Sequence, residues 1–213
     1  VGGGVILAVT GHRPPKIGGY DPAEPMRVWV RDQLVLALRT LHPVWGITGM
    51  ALGVDQDFAQ VCADLGIPFT AAVPCTGHDA TWPDTSRRYY EHLLACAAEI
   101  FVVSPGPYAP WKMQKRNEWM VDHADEVLAV WNGSSGGTAN CVAYVRRVGK
   151  IVRQVFPGHE FYWVSCSLFT CGVPTDRSGL IIETAPMLRK FIGQHFTNLV
   201  RWRPGTTVVR IFA

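Results

Sequence analysis

Residues 126–145 have the sequence EVLAVWNGSSGGTANCVAYV, and this stretch decides the fold of the chain. It opens with an apolar run at residues 127–131 and closes with apolar residues at helix-like spacing. Between these parts lies a short break of asparagine, serine and glycine, residues 132–137. A buried run, a glycine-rich break and a period near 3.6 residues together predict a strand, a tight loop and a helix.

The loop in this stretch favours a bound anion. The first turn of a helix leaves backbone N–H groups without partners, and the helix dipole adds partial positive charge there. Gly136 and Gly137 let a ligand approach the backbone, while Ser134, Ser135 and Thr138 offer hydroxyl groups. A phosphate is therefore a natural occupant. Taken alone, the stretch equally fits a plain turn whose glycines serve geometry only.

A related pattern occurs near the start of the chain. An apolar run at residues 5–9 predicts a buried strand, and Thr10-Gly11-His12-Arg13 follows it. Arg13 is suited to bidentate contact with a phosphate. In the alternative interpretation, His12 and Arg13 are ordinary surface loop residues.

The pattern occurs again after a short strand at residues 44–48. Gly49 and Gly53 bracket a second strand-to-helix turn that contains Met50, and Asp55 falls in the first turn of the following helix. An acidic side chain there can simply complement the helix dipole. Alternatively, Asp55 accepts a hydrogen bond from a ribose hydroxyl or orders the loop.

A predicted helix at residues 111–123 carries Met113, Arg116, Asn117 and Met120 on one face, because their spacing is three and four residues. An arginine and an asparagine are unusual in the middle of an apolar face. They are either paired inside the protein or directed into a cleft.

The whole of residues 5–156 alternates about six strands with helices, which predicts an α/β, Rossmann-like parallel sheet with helices on both faces. Ligands of such sheets bind beyond the carboxyl ends of the strands. The loops at Gly11, at residues 49–53 and at residues 133–137 all belong to that edge. Their convergence predicts a cleft for a nucleotide phosphate.

Residues 157–213 lack the glycine pattern and form a separate C-terminal α+β extension in this interpretation. Two strands, at residues 161–164 and 206–212, and a helix at residues 185–199 are predicted. We expect this extension to pack on the first domain, residues 1–156, or to form an oligomer contact.

Composition limits the function classes. The chain has 213 residues, 48% of them apolar, and a net charge of +3, which is too weak to argue for nucleic acid. No apolar run reaches about 18 residues, and the first run is too short for a secretion signal, so we expect a cytoplasmic protein without a membrane span. The six cysteines show no CxxC spacing, which predicts buried, reduced thiols at Cys62, Cys96 and Cys141 and neither a metal site nor a cofactor. Cys166 and Cys171 could pair, although nothing requires it.

Four motifs in order carry a family resemblance: TGHRP at residues 10–14, TGMALGVD at residues 48–55, MQKRN with MVD at residues 113–122, and WNG with GGT at residues 131–138. Over residues 5–156 the chain resembles the SLOG superfamily, in particular its YpsA-like branch. This superfamily includes DprA and the Lonely Guy phosphoribohydrolases. The resemblance implies a Rossmann-like fold that binds a nucleotide or a nucleotide-derived ligand.

The resemblance also allows a test of whether the chain carries the catalytic residues of a hydrolase. Lonely Guy enzymes cleave the base–ribose bond with an arginine, whose place Arg116 takes, and with a glutamate, whose place falls on Cys141. A thiol does not stabilise a ribosyl cation as a carboxylate does. Asp55 or Glu118 would have to substitute, and no spacing supports either. We therefore expect binding without hydrolysis, with Arg116 as the catalytic residue if the chain is a hydrolase.

The expected occupant is a nucleotide-derived small molecule, including NAD-derived, ADP-ribose-like or cyclic signals, because the resemblance implies a sensor or a sequestering protein in antiviral defence or counter-defence. A nucleotide N-glycosidase is the first alternative. DprA-like single-stranded DNA binding is the second, and the low net charge argues against it. We expect a homo-oligomer. The expected ligand contacts are Gly11, His12, Arg13, Gly49, Met50, Gly53, Asp55, Arg116, Asn117, Gly133, Ser134, Gly136, Gly137, Thr138 and Asn140.

Overall fold

The computed structural model describes residues 4–156, in which strands and helices alternate along the chain. A short 3-10 turn, Pro14–Lys16, follows the first strand. The elements are β1 (Ile6–Gly11), α1 (Pro25–Leu41), β2 (Trp45–Thr48), α2 (Val54–Asp64), β3 (Phe69–Val73), α3 (Asp84–Cys96), β4 (Glu99–Val102), α4 (Pro110–His123), β5 (Glu126–Val130), α5 (Gly137–Arg147) and β6 (Ile151–Val155).

The six strands form one sheet in the order β4-β3-β2-β1-β5-β6, and every neighbouring pair is parallel. The predicted α/β class is therefore confirmed. The strand order reverses at β1, which lies between β2 and β5. In open parallel sheets this reversal leaves a crevice at the carboxyl ends of the two strands, where ligands bind.

Helices cover both faces of the sheet, as predicted. On one face, Ala8, Ile47 and Val127 share an apolar cluster with Met120 of α4 and Val145 of α5. The opposite face carries α2, with α1 and α3 packed beside it.

The close approach of α2 to the sheet depends on a glycine in β2. A Cβ atom at Gly46 would lie 3.0 Å from Phe58 and 3.1 Å from the Cys62 sulfur. The absence of a side chain at residue 46 therefore sets how near this helix lies.

The cysteine predictions are partly wrong. Cys62 and Cys141 are buried as expected, but Cys96 is exposed. It is the last residue of α3, and its sulfur lies 3.9 Å from Nε2 of the exposed His92, one turn earlier, so it belongs to the exposed face of this helix. The predictions for residues 157–213, with Cys166 and Cys171, lie outside the described residues. Within residues 4–156, no helix is long and apolar enough to cross a membrane.

Candidate functional site

Backbone contacts join the loops after β1, β2 and β5 at the carboxyl edge of the sheet. The His12 N–H donates to the Val130 carbonyl at 3.2 Å, and the Val54 N–H donates to the His12 carbonyl at 3.3 Å. The hydroxyl of Thr138, which is buried, donates to the Gly11 carbonyl at 3.0 Å. The structure thus brings together the loops that the sequence singled out, and it uses the Thr138 hydroxyl to hold α5 against β1.

His12 fixes the loop after β5. Its side chain is buried, and its Nε2 lies 2.7 Å from Asn132 Oδ1, which also accepts the Ser134 N–H at 3.0 Å. The backbone N–H of Asn132 also lies 3.2 Å from His12 Nε2, so one ring nitrogen contacts both the side chain and the backbone of Asn132. Burial lowers the pKa of His12. The imidazole is therefore neutral at physiological pH and positions the loop without adding positive charge.

The loop itself presents an open glycine rim, which consists of Gly133, Gly136 and Gly137. All are exposed, and a Cβ atom built at each would meet no atom within 4 Å. Helix α5 begins directly after Gly136, without a side-chain cap and without an acidic residue in its first turn. The first N–H groups of α5 are thus accessible to an anion. Asn140 is exposed one turn further along the helix.

Two basic side chains from the loop after β1 lie at this edge. Arg13 is exposed, and Lys16 Nζ donates to Ser134 Oγ at 2.7 Å and to the Ser135 carbonyl at 3.2 Å. The sequence interpretation singled out Arg13 and Ser134 but missed Lys16. Its spacing of three residues from Arg13, across a Pro-Pro turn, was the signal that could have placed both charges at one rim.

The glycines at Gly11, Gly49 and Gly53 have a different environment. A Cβ atom at Gly11 would overlap the side chain of Val54, and one at Gly49 would overlap the guanidinium of Arg116. At Gly53 it would lie 2.6 Å from the His12 carbonyl oxygen. The protein's own atoms fill these spaces, so these glycines serve close packing of the loops.

Arg116 and Asp55 form a buried ion pair above the end of β2. Arg116 Nη1 lies 3.4 Å from Asp55 Oδ2 and donates to the Gly49 carbonyl. Asp55 Oδ2 also accepts the Ala51 N–H at 3.3 Å. Burial raises the pKa of Asp55, and the Arg116 guanidinium opposes this rise. In this structure Arg116 is paired inside the protein, and Asp55 orders the loop between β2 and α2.

The same loop holds Met50 in a strained conformation. Met50 is fully buried and has a φ of 57°, in the left-handed region that non-glycine residues rarely adopt. The Gln56 side-chain amide donates to the Met50 carbonyl at 3.4 Å. The Met50 side chain is therefore part of the core, and hydrogen bonds within the protein fix the geometry of this loop.

The buried face of α4 differs from the predicted one. Lys112, Arg116 and Met120 point inward, whereas Met113 and Asn117 are half-buried. Lys112 is buried because its ammonium donates to the carbonyls of Ser104, at 3.0 Å, and Pro105, at 2.8 Å. A lysine that follows a short loop can be buried when its ammonium donates hydrogen bonds to the carbonyls of that loop. The spacing of apolar residues alone does not predict this burial.

His78, in the loop between β3 and α3, is a second residue that sequence reasoning missed. It is 8% exposed, and neither ring nitrogen has a hydrogen-bond partner within residues 4–156. Its ring lies edge-to-face with Trp82, at 5.0 Å, and with Tyr90, at 6.3 Å. Burial, with the nearby charges of Arg116 and Arg13, lowers the pKa of His78 to about 3. Its place after a strand end, before Trp-Pro, was the only sequence signal.

Trp82 and Tyr89, at and just before the first turns of α3, both contact the protein's own side chains. Trp82 is half-buried and packs edge-to-face on Tyr90 at 5.3 Å. Tyr89 is exposed, and its hydroxyl donates to Gln60 at 3.3 Å.

An open groove of about 410 Å³ lies at the opposite edge of the sheet, lined by Ile6, Trp45, Glu99, Phe101 and Trp119 among others. It is remote from the glycine rim. No cluster of His, Cys, Asp or Glu suited to a metal ion occurs in the part of the chain that the structure describes.

A sequence model of the YspA SLOG family matches residues 7–148, which is most of the described domain. The chain belongs to the YspA SLOG family. This membership agrees with the resemblance that the four motifs carry. It also covers every strand end from which the candidate site is built.

Other proteins are similar over the same region. The uncharacterized SPbeta prophage-derived protein YoqJ of Bacillus subtilis strain 168 is 36% identical over 160 residues, covering 64% of this chain and 93% of YoqJ. A UPF0398 protein of Bacillus cereus strain G9842 is 22% identical over 166 residues, covering 74% of this chain and 89% of that protein.

Among solved structures, DprA from Streptococcus pneumoniae superposes with a TM-score of 0.54 at 16% sequence identity. The match covers 71% of this chain and 50% of the DprA chain, so this YspA SLOG protein spans half the length of that relative. At this identity the likeness concerns the fold alone.

Proposed function

We propose that this protein binds a nucleotide-derived small molecule, whose phosphate lies on the glycine rim at the N-terminus of α5. The observation that carries the proposal is the uncapped first turn of α5 behind glycines with open space around them. Backbone N–H groups at a helix start bind phosphate by direct hydrogen bonding, and the helix dipole adds to the attraction.

The charges around the rim support a phosphorylated ligand. Arg13 and Lys16 supply positive charge from the loop after β1, and the first turn of α5 contains no acidic residue to oppose an anion. His12 ties the loop of β5 to β1, so the rim is formed before a ligand arrives. A preformed site loses less conformational entropy on binding.

Binding without hydrolysis is the form of the proposal that the side chains favour. Cys141, at the position of the Lonely Guy glutamate, is buried, and burial raises its pKa to about 11. A neutral thiol supplies no negative charge to stabilise a ribosyl cation. Arg116 is engaged with Asp55 and the Gly49 carbonyl, which suits a structural role.

The biological setting extends the same proposal. A nucleotide-binding protein of this kind would act in the cytoplasm as a sensor of a nucleotide signal, including a cyclic or ADP-ribose-derived one, or as a protein that sequesters it. The prophage origin named for YoqJ supports sequestration in counter-defence. The proposal also includes a homo-oligomer, and a C-terminal extension, residues 157–213, that packs on the first domain or forms the oligomer contact.

The experiment compares wild type with Gly137→Asp by isothermal titration calorimetry, using AMP, ADP-ribose, NAD and inorganic pyrophosphate as probes. We expect Gly137→Asp to abolish binding, because the carboxylate occupies the phosphate position and repels it. Folding should be retained, since a side chain at residue 137 meets no atom within 4 Å. An aspartate in the first helical turn also complements the dipole.

Ala143→Asp is the matched control, because it adds the same charge to an exposed position of α5 beyond its first turn. It should leave binding unchanged. Equal binding by Gly137→Asp and wild type would reject the proposed site. Release of free base from AMP or NAD would instead support the hydrolase, and a gel shift with single-stranded DNA at physiological salt would support the DprA-like alternative.

A further inference from the structure

Two side chains near the candidate site contain buried nitrogen atoms that have no hydrogen-bond partner within residues 4–156. These are His78, at both ring nitrogens, and Arg116, at Nε. Buried polar groups are nearly always hydrogen-bonded in folded proteins, and an unpaired one lowers stability. Two such groups in one neighbourhood indicate a position that a ligand completes.

His78, Arg116 and Arg13 lie within electrostatic range of one another. Both guanidinium groups lower the pKa of His78, and Arg13 also lowers that of Arg116. Arg13 belongs to the loop after β1, which also contacts the loop that carries the glycine rim, through His12 and Lys16. Arg13 therefore connects the region of His78 with the proposed phosphate position.

The chemistry around His78 suits an uncharged group. The imidazole is neutral, so one ring nitrogen donates a hydrogen bond and the other accepts one. The charge of Arg116 is balanced by Asp55 at 3.4 Å. A hydroxyl pair of a sugar, or the edge of a nucleobase, offers the matching donors and acceptors, whereas a phosphate offers acceptors only.

The sheet sets the distance between the two ends of the site. The loop with His78 follows β3, and the glycine rim follows β5, with β2 and β1 between them. Neighbouring strands lie about 4.8 Å apart, so three steps separate the two positions by about 14 Å. A ligand that spans this distance has an extended nucleotide-like shape, with its phosphate at one end and its base or sugar at the other.

We propose that His78 is the recognition residue for the base or sugar end of the ligand whose phosphate lies on the glycine rim. This inference rests on the proposed function and assigns the orientation of its ligand. The ring nitrogens are buried, so contact with a ligand requires the loop at residues 76–82 to open. Gly77 has a φ of 65° and only one atom near its Cβ direction, at 3.8 Å, which makes it a suitable hinge.

The test uses His78→Phe, which keeps an aromatic ring between Trp82 and Tyr90 and removes both nitrogens. We expect the affinity for AMP, ADP-ribose or NAD to fall about tenfold, as the loss of a buried hydrogen-bonding group predicts. The affinity for inorganic pyrophosphate, which has neither base nor sugar, should stay within about twofold of wild type. The melting temperature without ligand should rise by a few degrees, because an unpaired polar group has been removed.

His92→Phe is the control, since His92 is an exposed histidine of α3. It should change neither affinity. Unchanged nucleotide affinity in His78→Phe would overturn the inference and leave the proposed function intact, and so would an equal loss of nucleotide and pyrophosphate. If wild type binds pyrophosphate but no nucleotide, the inference also fails. If wild type binds none of the probes, both the proposed function and the inference fail.

Discussion

Arg116 occupies the volume that a side chain at Gly49 would need, and it fastens α4 to the loop between β2 and α2. Both Arg116 and Asp55 are almost fully buried, 4% and 6% exposed. Removing one member of a buried ion pair leaves the other charge without a partner in a medium of low polarity. The intact pair therefore contributes little net stability, whereas removal of one partner lowers the free energy of unfolding strongly.

We predict that Arg116→Ala lowers the free energy of unfolding by about 3–5 kcal/mol. Urea denaturation followed by circular dichroism measures this change. Lys115→Ala, an exposed neighbour on α4, is the control and should change stability by less than about 0.5 kcal/mol. The double variant Arg116→Ala with Asp55→Ala should lose less than the two single losses added together. Strict additivity would show that the pair does not interact energetically.

At the residue scale, the sequence predicted which residues lie at the carboxyl edge but not which of them border open space and which are packed against other side chains. Gly49 and Gly137 look alike in the sequence, yet one makes room for Arg116 and the other borders open space. His78 could not be found because its burial depends on Trp82 and Tyr90, which come from a loop and a helix whose packing no local pattern encodes.

At the scale of elements, α1 and α2 are joined by a second buried ion pair. Arg27 donates from Nη2 to both carboxylate oxygens of Asp57, at 2.7 and 2.9 Å, and from Nε at 3.2 Å. Its Nη1 also donates to the Gly19 carbonyl at 3.2 Å. One side chain thus connects both helices and the loop that precedes α1.

We predict that Arg27→Met destabilises the protein by about 3–5 kcal/mol, because Asp57 is then buried without its partner. The midpoint of urea denaturation reports the loss. Arg39→Met, at an exposed position near the end of α1, is the matched control and should have little effect. A loss no greater than that of the control would show that water or another group replaces Arg27.

Most elements could be predicted because the strands are short apolar runs and the helices have a clear period. The boundaries differ by a few residues at most: the first strand extends to Gly11, and the fourth ends at Val102 instead of residue 104. Sequence could not give the strand order, since parallel strands pair through contacts between distant segments. The exposure of β4 follows from that order, because β4 is an edge strand.

For the whole molecule, residues 4–156 contain a layered sheet with its own core, and the division of the chain near residue 156 remains a prediction that truncation tests. We predict that a chain cut to residues 1–156 unfolds cooperatively and binds pyrophosphate as tightly as the full chain. Circular dichroism and calorimetry test these expectations. Size-exclusion chromatography with light scattering should show an oligomer for the full chain and a monomer for the shorter one.

An oligomer that persists in the shorter chain would contradict an oligomer contact in the extension. It would instead direct attention to the edge strand, where Ile100, Phe101 and Val102 are 52%, 39% and 36% exposed. Exposed edge strands are ready sites for pairing with another chain. The two outcomes are therefore distinguished by one measurement of mass.

The empty side-chain position at Gly49 also has a consequence for how this protein can diverge. Because Arg116 fills that space, a Gly49→Ala substitution is tolerated only if Arg116 is also replaced by a residue with a shorter side chain. The two positions, 67 residues apart in the chain, are therefore expected to be coupled in evolution. Among relatives, we expect a residue larger than glycine at position 49 only where position 116 carries a side chain shorter than arginine.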